Sequence, residues 1–285
     1  MLATTSTVPI VGSSRSGGQA PSRSTVVSAP RSRVGQLFVA PAGAILTICF
    51  LLPVVIGAIA SLTDFDLYGL ASIRNVRWIG WDNYTRLLGS GLFWQALRNT
   101  LVFVLVAGPL SILVSLTAAL LLTARSTWFR GWYRTIHFAP VVSTMVAMAV
   151  VWRYLLHAQF GLINAALRLV GLPAIDWLGD PNFSLWGIVL LVVWKSFGLN
   201  MVIFIAGIEN ISRDWQDAAE VDGAGYWQRL RHIVLPALAP TFLFVGITTM
   251  VGYLQLFVEP YVMTRGGPLR STYSLVMFAY EEGFR

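Results

Sequence analysis

Three groups of residues in this 285-residue chain are of types that could do chemistry, and their spacing decides which of them can. The first is a set of polar side chains inside apolar runs: Trp194, Lys195 and Asn200, then Tyr253, Gln255 and Glu259. Polar and ionisable groups are costly in hydrocarbon, so they face a bundle interior or water. There, Lys195 and Glu259 could bind an ion or relay a proton. Alternatively, Asn200 and Gln255 could bond hydroxyls while Trp194 and Tyr253 stack on flat apolar ligand faces. Packing of the aromatics and snorkelling of Lys195 are the bland alternatives, as is pairing of Glu259 with Lys195.

The second group is a charged island, residues 213–240, between two apolar runs. It carries Arg213, Asp214, Asp217, Glu220, Asp222, Arg229, Arg231 and His232. A segment this charged cannot lie in lipid, so it is an aqueous loop, and its basic residues place it on the cytoplasmic side. The third group is the histidines, His137, His157 and His232, which fall at three different boundaries and do not cluster. The sequence shows no nucleophile–base pair, no HExxH, no metal-spaced Cys/His set and no GxxxxGK[ST] phosphate loop. This chain is therefore not expected to hydrolyse ATP, and a membrane-embedded enzyme is disfavoured.

The elements that position these groups follow from composition. Apolar residues make up 56% and charged residues 12%, with a mean hydropathy of +0.67. Soluble domains carry about 25% charged residues. The chain reads as an all-α polytopic transmembrane helical bundle with five spans: 37–62, 100–124, 135–156, 184–208 and 241–263. The first run is too long for a signal-peptide core, so it is a retained span with a kink at Pro53. The single cysteine, Cys49, lies in that run.

Residues 1–35 contain four arginines and no acid, and read as a disordered basic cytoplasmic tail. Arg125, Arg130 and Arg134 crowd into ten residues, whereas 157–183 holds only Arg168. That contrast places the former loop inside and the latter outside. The net charge of +7 is dispersed over tail and loops, which suits anionic lipid headgroups rather than nucleic acid. Arg153, near the outer end of the third span, is expected to snorkel.

Within the island, Asp214 is the expected N-cap with Asp217 as its capping-box acid. Asp222-Gly223 should end a first short helix. Tyr226, Leu230, Ile233 and Val234 outline a second one, stopped or kinked at Pro236 and Pro240.

Ala218-Ala219, Gly223, Ile233 and Leu235-Pro236, with Asp222-Gly223-Ala224 and Pro240, resemble the EAA loop of binding-protein-dependent ABC import permeases. The form is that of the carbohydrate-uptake, maltose-type branch. Asp217 stands where that family usually has Glu. Residues 79–84 and 93–100, Phe160 to Asn164, Trp177 to Pro181, and Thr264-Arg265-Gly266-Gly267-Pro268 also resemble the family's loops. In the last, Arg265 replaces the first glycine of a Thr-Gly-Gly-Gly-Pro turn.

The resemblance covers about residues 36–285 and implies a transmembrane permease domain with a sixth span following the five. It implies a bacterial plasma (inner) membrane location with the N-terminus cytoplasmic. It further implies a second related permease, two cytoplasmic ATPase subunits that bind ATP and Mg, and an extracytoplasmic substrate-binding protein. No cofactor is expected in this chain. Asp217, Ala218, Ala219, Glu220, Asp222 and Gly223 would form the ATPase-docking element of a sugar importer. The rival expectation is an ion-coupled secondary transporter using Lys195 and Glu259.

Overall fold

The computed structural model describes residues 33–65, 76–124 and 130–284. The expected tail, most of residues 1–35, lies outside them, as do Asp66, Arg74 and Arg125. The described residues are helical with no strand, and their fold is an all-α polytopic bundle. Two units are distinguished, Met1–Gly80 and Trp81–Arg285.

In the first unit, α1 (Arg33–Leu46) and α2 (Leu52–Ala60) are joined by one π-helical stretch, Thr47–Leu51. Its wide turn precedes Pro53. Leu52 N–H donates to the carbonyl of Thr47, five residues back. Widening the turn relieves the clash of a proline ring with the carbonyl four residues earlier, so the span continues through Pro53. An antiparallel bridge pairs Thr63 with Trp78 after the helix.

The second unit begins with α3 (Asp82–Gly89) and α4 (Gly91–Ala124). It continues through α5 (Arg130–Val142), α6 (Met145–Leu155) and α7 (Leu162–Leu169) to α8 (Ser184–Glu209). Then come α9 (Arg213–Val221), α10 (Tyr226–Arg229), α11 (Leu235–Ala237), α12 (Ala239–Leu254), α13 (Val258–Met263) and α14 (Leu275–Phe284). Three single helical stretches, Gln36–Ala60, Gly91–Thr123 and Ser184–Glu209, are long and apolar enough to cross a membrane. Two bent pairs bring the number of described candidates to five.

The bent pairs change two of the expected spans. The third breaks at Ser143-Thr144, where Thr144 Oγ1 caps α6 by accepting from Ala147 N, and its halves meet at 102°. The fifth is Tyr226–Ala237 with Ala239–Leu254, bent by 63°. It ends at Leu254 rather than Met263, so Gln255 is the C-cap of α12 and Glu259 starts the separate α13.

The core is built on α8, whose inward face includes Ile188, Leu191, Val192, Met201, Phe204 and Ile205 against α4 and α12. Gly198 lets α5 approach: a Cβ there would overlap the His137 carbonyl. At 1.5 Å per residue α8 is about 39 Å long, enough to cross the hydrocarbon. Its N-terminal end meets the 157–183 and 264–274 segments, and its C-terminal end meets residues 211–241. Leu275–Phe284 is helical, so the weakly apolar C-terminal stretch is ordered as α14.

Candidate functional site: a polar helix junction between a charged loop and a mid-span cleft

The charged loop is a helix–turn–helix. The N-cap of α9 is Ser212, whose Oγ accepts from Asp214 N at 3.3 Å. Asp214 is instead inside the first turn, so the expected Asp214–Asp217 capping box does not form. Serine fits because its short hydroxyl reaches back to a free amide from extended backbone.

The predicted stop at Asp222-Gly223 is observed in full. Gly223 has φ +77°, Gly223 N donates to Glu220 O at 3.0 Å, and Ala224 N donates to Ala219 O at 2.9 Å. These two bonds are the Schellman pattern, which needs a residue at ease with positive φ. Gly225 N then donates to Gln228 Oε1 at 2.8 Å, satisfying one free donor at the start of α10.

Pro236 does not stop the second helix. Leu230–Val234 is π-helical, and Leu235 N donates to Leu230 O, the same solution seen before Pro53. The break comes at Leu238, which is fully buried.

On α9, Gln216 and Ala219, three apart, are half-buried and form the inward-facing pair. Asp217, Ala218, Glu220, Asp222 and Gly223 are exposed. Of the two alanines, therefore, only Ala218 lies open. Trp215, Val221 and Trp227 on the same loop are also exposed, Val221 at 89%. Arg229 Nη1 reaches Glu220 Oε2 at 3.1 Å and links the two helices.

Inside the bundle, three helices meet through hydroxyls. Ser111 on α4 and Ser196 on α8 lie 3.0 Å apart at their Oγ atoms, and Ser196 Oγ lies 2.5 Å from Tyr253 Oη on α12. Asn200 Nδ2 donates to Thr249 Oγ1 at 3.1 Å and to Ser111 Oγ at 3.4 Å. Spacings of four residues, 196/200 and 249/253, put each pair on one helix face. Such bonds hold helices together in lipid. Ser111, Ser196 and Thr249 were not singled out in the sequence. Their only signal there was a small polar residue recurring at helical spacing inside apolar runs.

Beside this junction is a cleft of about 280 Å³ lined by Phe103, Met145, Lys195, Ser196, Tyr253 and Glu259, among others. Lys195 is about 17 Å from the start of α8, near mid-helix. Three of the six predicted pathway residues are thus brought together: Lys195, Tyr253 and Glu259. The other three do not line this cleft. Trp194 packs against Trp152 with ring centroids 5.6 Å apart, Asn200 is buried in the junction, and Gln255 is exposed. Lys195 and Glu259 share the cleft without an ion pair within 4.0 Å, so of the alternatives the direct pairing is not formed.

At the opposite end of α8 from the charged loop, Asn164 organises the 157–183 segment. It is fully buried. Its Oδ1 accepts from Ile175 N and Trp177 Nε1, each at 3.1 Å, and its Nδ2 donates to Ile175 O at 2.8 Å and Ala158 O at 3.0 Å. Nearby, Gln95 and Asn99 donate to the carbonyls of Leu269 and Arg270, and Asn99 also to that of Tyr273. Tyr273 Oη donates to Glu281 Oε2 at 2.6 Å. Burial, then that bond to a carboxylate, pushes the Tyr273 phenol well above its usual range.

The sequence profile of the binding-protein-dependent transport system inner membrane component family matches residues 111–283, which include the junction, the charged loop and every cleft residue named above except Phe103. The chain belongs to this family. The permease is 34% identical over 255 residues to the lactose transport system permease protein LacF of Rhizobium radiobacter, covering 88% of this chain and 83% of that one. It is 31% identical to the sulfoquinovosyl glycerol transport system permease protein SmoG of Agrobacterium fabrum, covering 86% and 78%. It is 29% identical to the trehalose/maltose transport system permease protein MalF of Thermococcus litoralis, covering 87% and 83%. Its fold is similar to a chain of a bacterial ABC transporter that imports the acidic polysaccharide alginate. The TM-score is 0.72 at 23% identity, with 89% of this permease and 85% of that chain covered.

Proposed function

We propose that this permease is one of two transmembrane subunits of an ATP-driven importer for a sugar of the di- or oligosaccharide class. The sugar class follows the transport systems named for its relatives. The observation that carries the coupling mechanism is the physical continuity from the exposed loop to the mid-span cleft. Asp217, Ala218, Ala219, Glu220, Asp222 and Gly223 form the loop's first helix and turn. The second helix runs through Pro236 and, across the bend at Leu238, into α12, which carries Thr249 and Tyr253. A push on the loop moves a stiff lever whose far end is bonded to Ser196 and Asn200, so it reaches the cleft as a tilt of packed helices.

In this reading the loop and the N-terminus face the cytoplasm of a bacterial inner membrane. Two partner ATPase subunits bind ATP and Mg and dock on the loop. The exposed Trp215, Val221 and Trp227 add apolar grip beside the acids. A second related permease completes the pathway, and an extracytoplasmic binding protein delivers the sugar to the opposite end. Lys195, Tyr253 and Glu259 contact it in the cleft and, through repacking around them, give alternating access.

The test compares wild type with Gly223→Asp and Gly223→Asn in detergent pull-downs, ATPase assays and proteoliposome uptake. Asparagine and aspartate both tolerate positive φ better than most residues, so the two variants differ in the added charge rather than in backbone strain. The expected result is that wild type and Gly223→Asn capture an ATPase, whereas Gly223→Asp loses it together with ATP-dependent uptake. Uptake driven by an ion gradient without ATP overturns the reading and moves attention to Lys195 and Glu259.

A further inference from the structure

A second cleft, of about 690 Å³, lies at the end of the bundle opposite the charged loop. Three separate stretches of chain line it. The first contributes Arg153, His157 and Ala158, the second Asp176, and the third Thr264 and Arg265. Its volume is that of a small-molecule site. We propose that this cleft receives the anionic group of an acidic saccharide, a sugar carboxylate, with Arg153 and Arg265 as the cations that hold it. This rests on the sugar-importer reading and narrows its substrate.

The charge count points this way. Two arginines and one aspartate are among the residues that line the cleft, and Asp176 Oδ1 is already engaged by Gly179 N at 2.9 Å. Neither Arg153 nor Arg265 forms an ion pair with any described residue. Two guanidiniums in one concave site offer the forked donors that match a carboxylate. Snorkelling alone would need only lipid headgroups around Arg153. Instead it shares a cleft with a second arginine that is 112 positions away in the chain.

Arg265 adds an independent observation. Its φ is +52°, a left-handed conformation that glycine takes freely and arginine does not, and Gly266 follows at +79°. Leu269 and Arg270 in the same segment also have positive φ, +49° and +60°, so the turn as a whole holds this geometry and sets Arg265 at the cleft.

Two of the helices that line it, α6 and α13, also contribute to the mid-span cleft or its surroundings. Val262 and Met263 line it, while Glu259, one turn earlier on α13, lines the mid-span cleft with Lys195. Trp152, the neighbour of Arg153, packs on Trp194, the neighbour of Lys195.

The experiment uses the assembled transporter with Ala158→Cys as a reporter in a Cys49→Ala background. Labelling rates are measured with an anionic and a cationic methanethiosulfonate reagent. The expected result is faster reaction with the anionic reagent, by about tenfold, as charged clefts concentrate counter-ions. Arg153→Gln and Arg265→Gly each lower that ratio, and Asp176→Asn raises it. Because glycine relieves the backbone at 265, the loss with Arg265→Gly reports charge rather than misfolding. D-galacturonate should slow labelling where D-galactose does not, and Arg265→Gly should abolish the difference. Equal labelling by the two reagents overturns the proposal, as does equal protection by the two sugars. Copurification with an ATPase, scored on the same samples, tells that failure from failure of the importer reading.

Discussion

Glu220 and Arg229 face each other across the Gly223 turn, with Oε2 and Nη1 3.1 Å apart. The pair joins the helix that carries the loop's acids to the helix that enters the membrane. Glu220 is 68% exposed at its side chain, so the pair is worth little to stability, about 0.5 kcal/mol. A double-mutant cycle of Glu220→Gln and Arg229→Gln should give a coupling energy below about 1 kcal/mol in thermal unfolding. Each single variant should instead weaken coupling of ATPase activity to uptake. A larger stability coupling with unchanged transport would make the pair a structural brace only.

Asn200 is buried between Thr249 and Ser111. Asn200→Leu should destabilise the bundle by about 0.6–1.7 kcal/mol, the range of side-chain hydrogen bonds between membrane helices. Asn200→Ser should recover part of that loss. The measurement is the unfolding midpoint in detergent. Because Asn200 does not line the cleft, the apparent substrate affinity of folded Asn200→Ser transporter should stay near that of wild type.

Asn164 satisfies Ile175 N and Trp177 Nε1 with one oxygen. Asn164→Ala leaves both donors and several carbonyls unpartnered in a buried place, at a cost of about 2–3 kcal/mol. Limited proteolysis should then cut first within 157–183. Asn164→Asp keeps the acceptor but sets a carboxylate oxygen against the carbonyls of Ile175 and Ala158, so it should cost at least as much as Asn164→Ala at neutral pH.

Tyr273 donates to Glu281, and its phenol pKa is raised in the folded state. A raised folded pKa means that the contribution is fully present below the unfolded value of about 10 and fades only as pH climbs through the higher folded value. Tyr273→Phe should therefore cost about 1.5 kcal/mol, the low end for a hydrogen bond to a charged group, unchanged between pH 6 and 9. A loss that varied across that window, measured by detergent unfolding, would contradict the assignment of the proton to Tyr273.

Much was legible from the sequence because membrane folding obeys local rules. An apolar run near twenty residues must be helical, since no water satisfies its backbone, so the spans could be read directly. The Gly223 turn was legible too, because its signal lies within a few consecutive residues. What tertiary structure decided was every relationship between distant segments. The sequence predicts a stop or kink at Pro236 and Pro240; a π-turn carries the helix through Pro236, and a 63° bend falls at Leu238 between the two prolines. Gln255 was counted inside a span whose end, Leu254, is set by the break before α13. The sequence leaves open whether Asn200 bonds a ligand or other helices; its bonds to Thr249 and Ser111, 49 and 89 residues away, come only from the fold. That Arg153 and Arg265, 112 positions apart, line one cleft is likewise set only by the fold. Burial and charge pairing are properties of the assembled bundle. Residue order determines which side chains are costly in lipid, and only packing determines where each finds its partner.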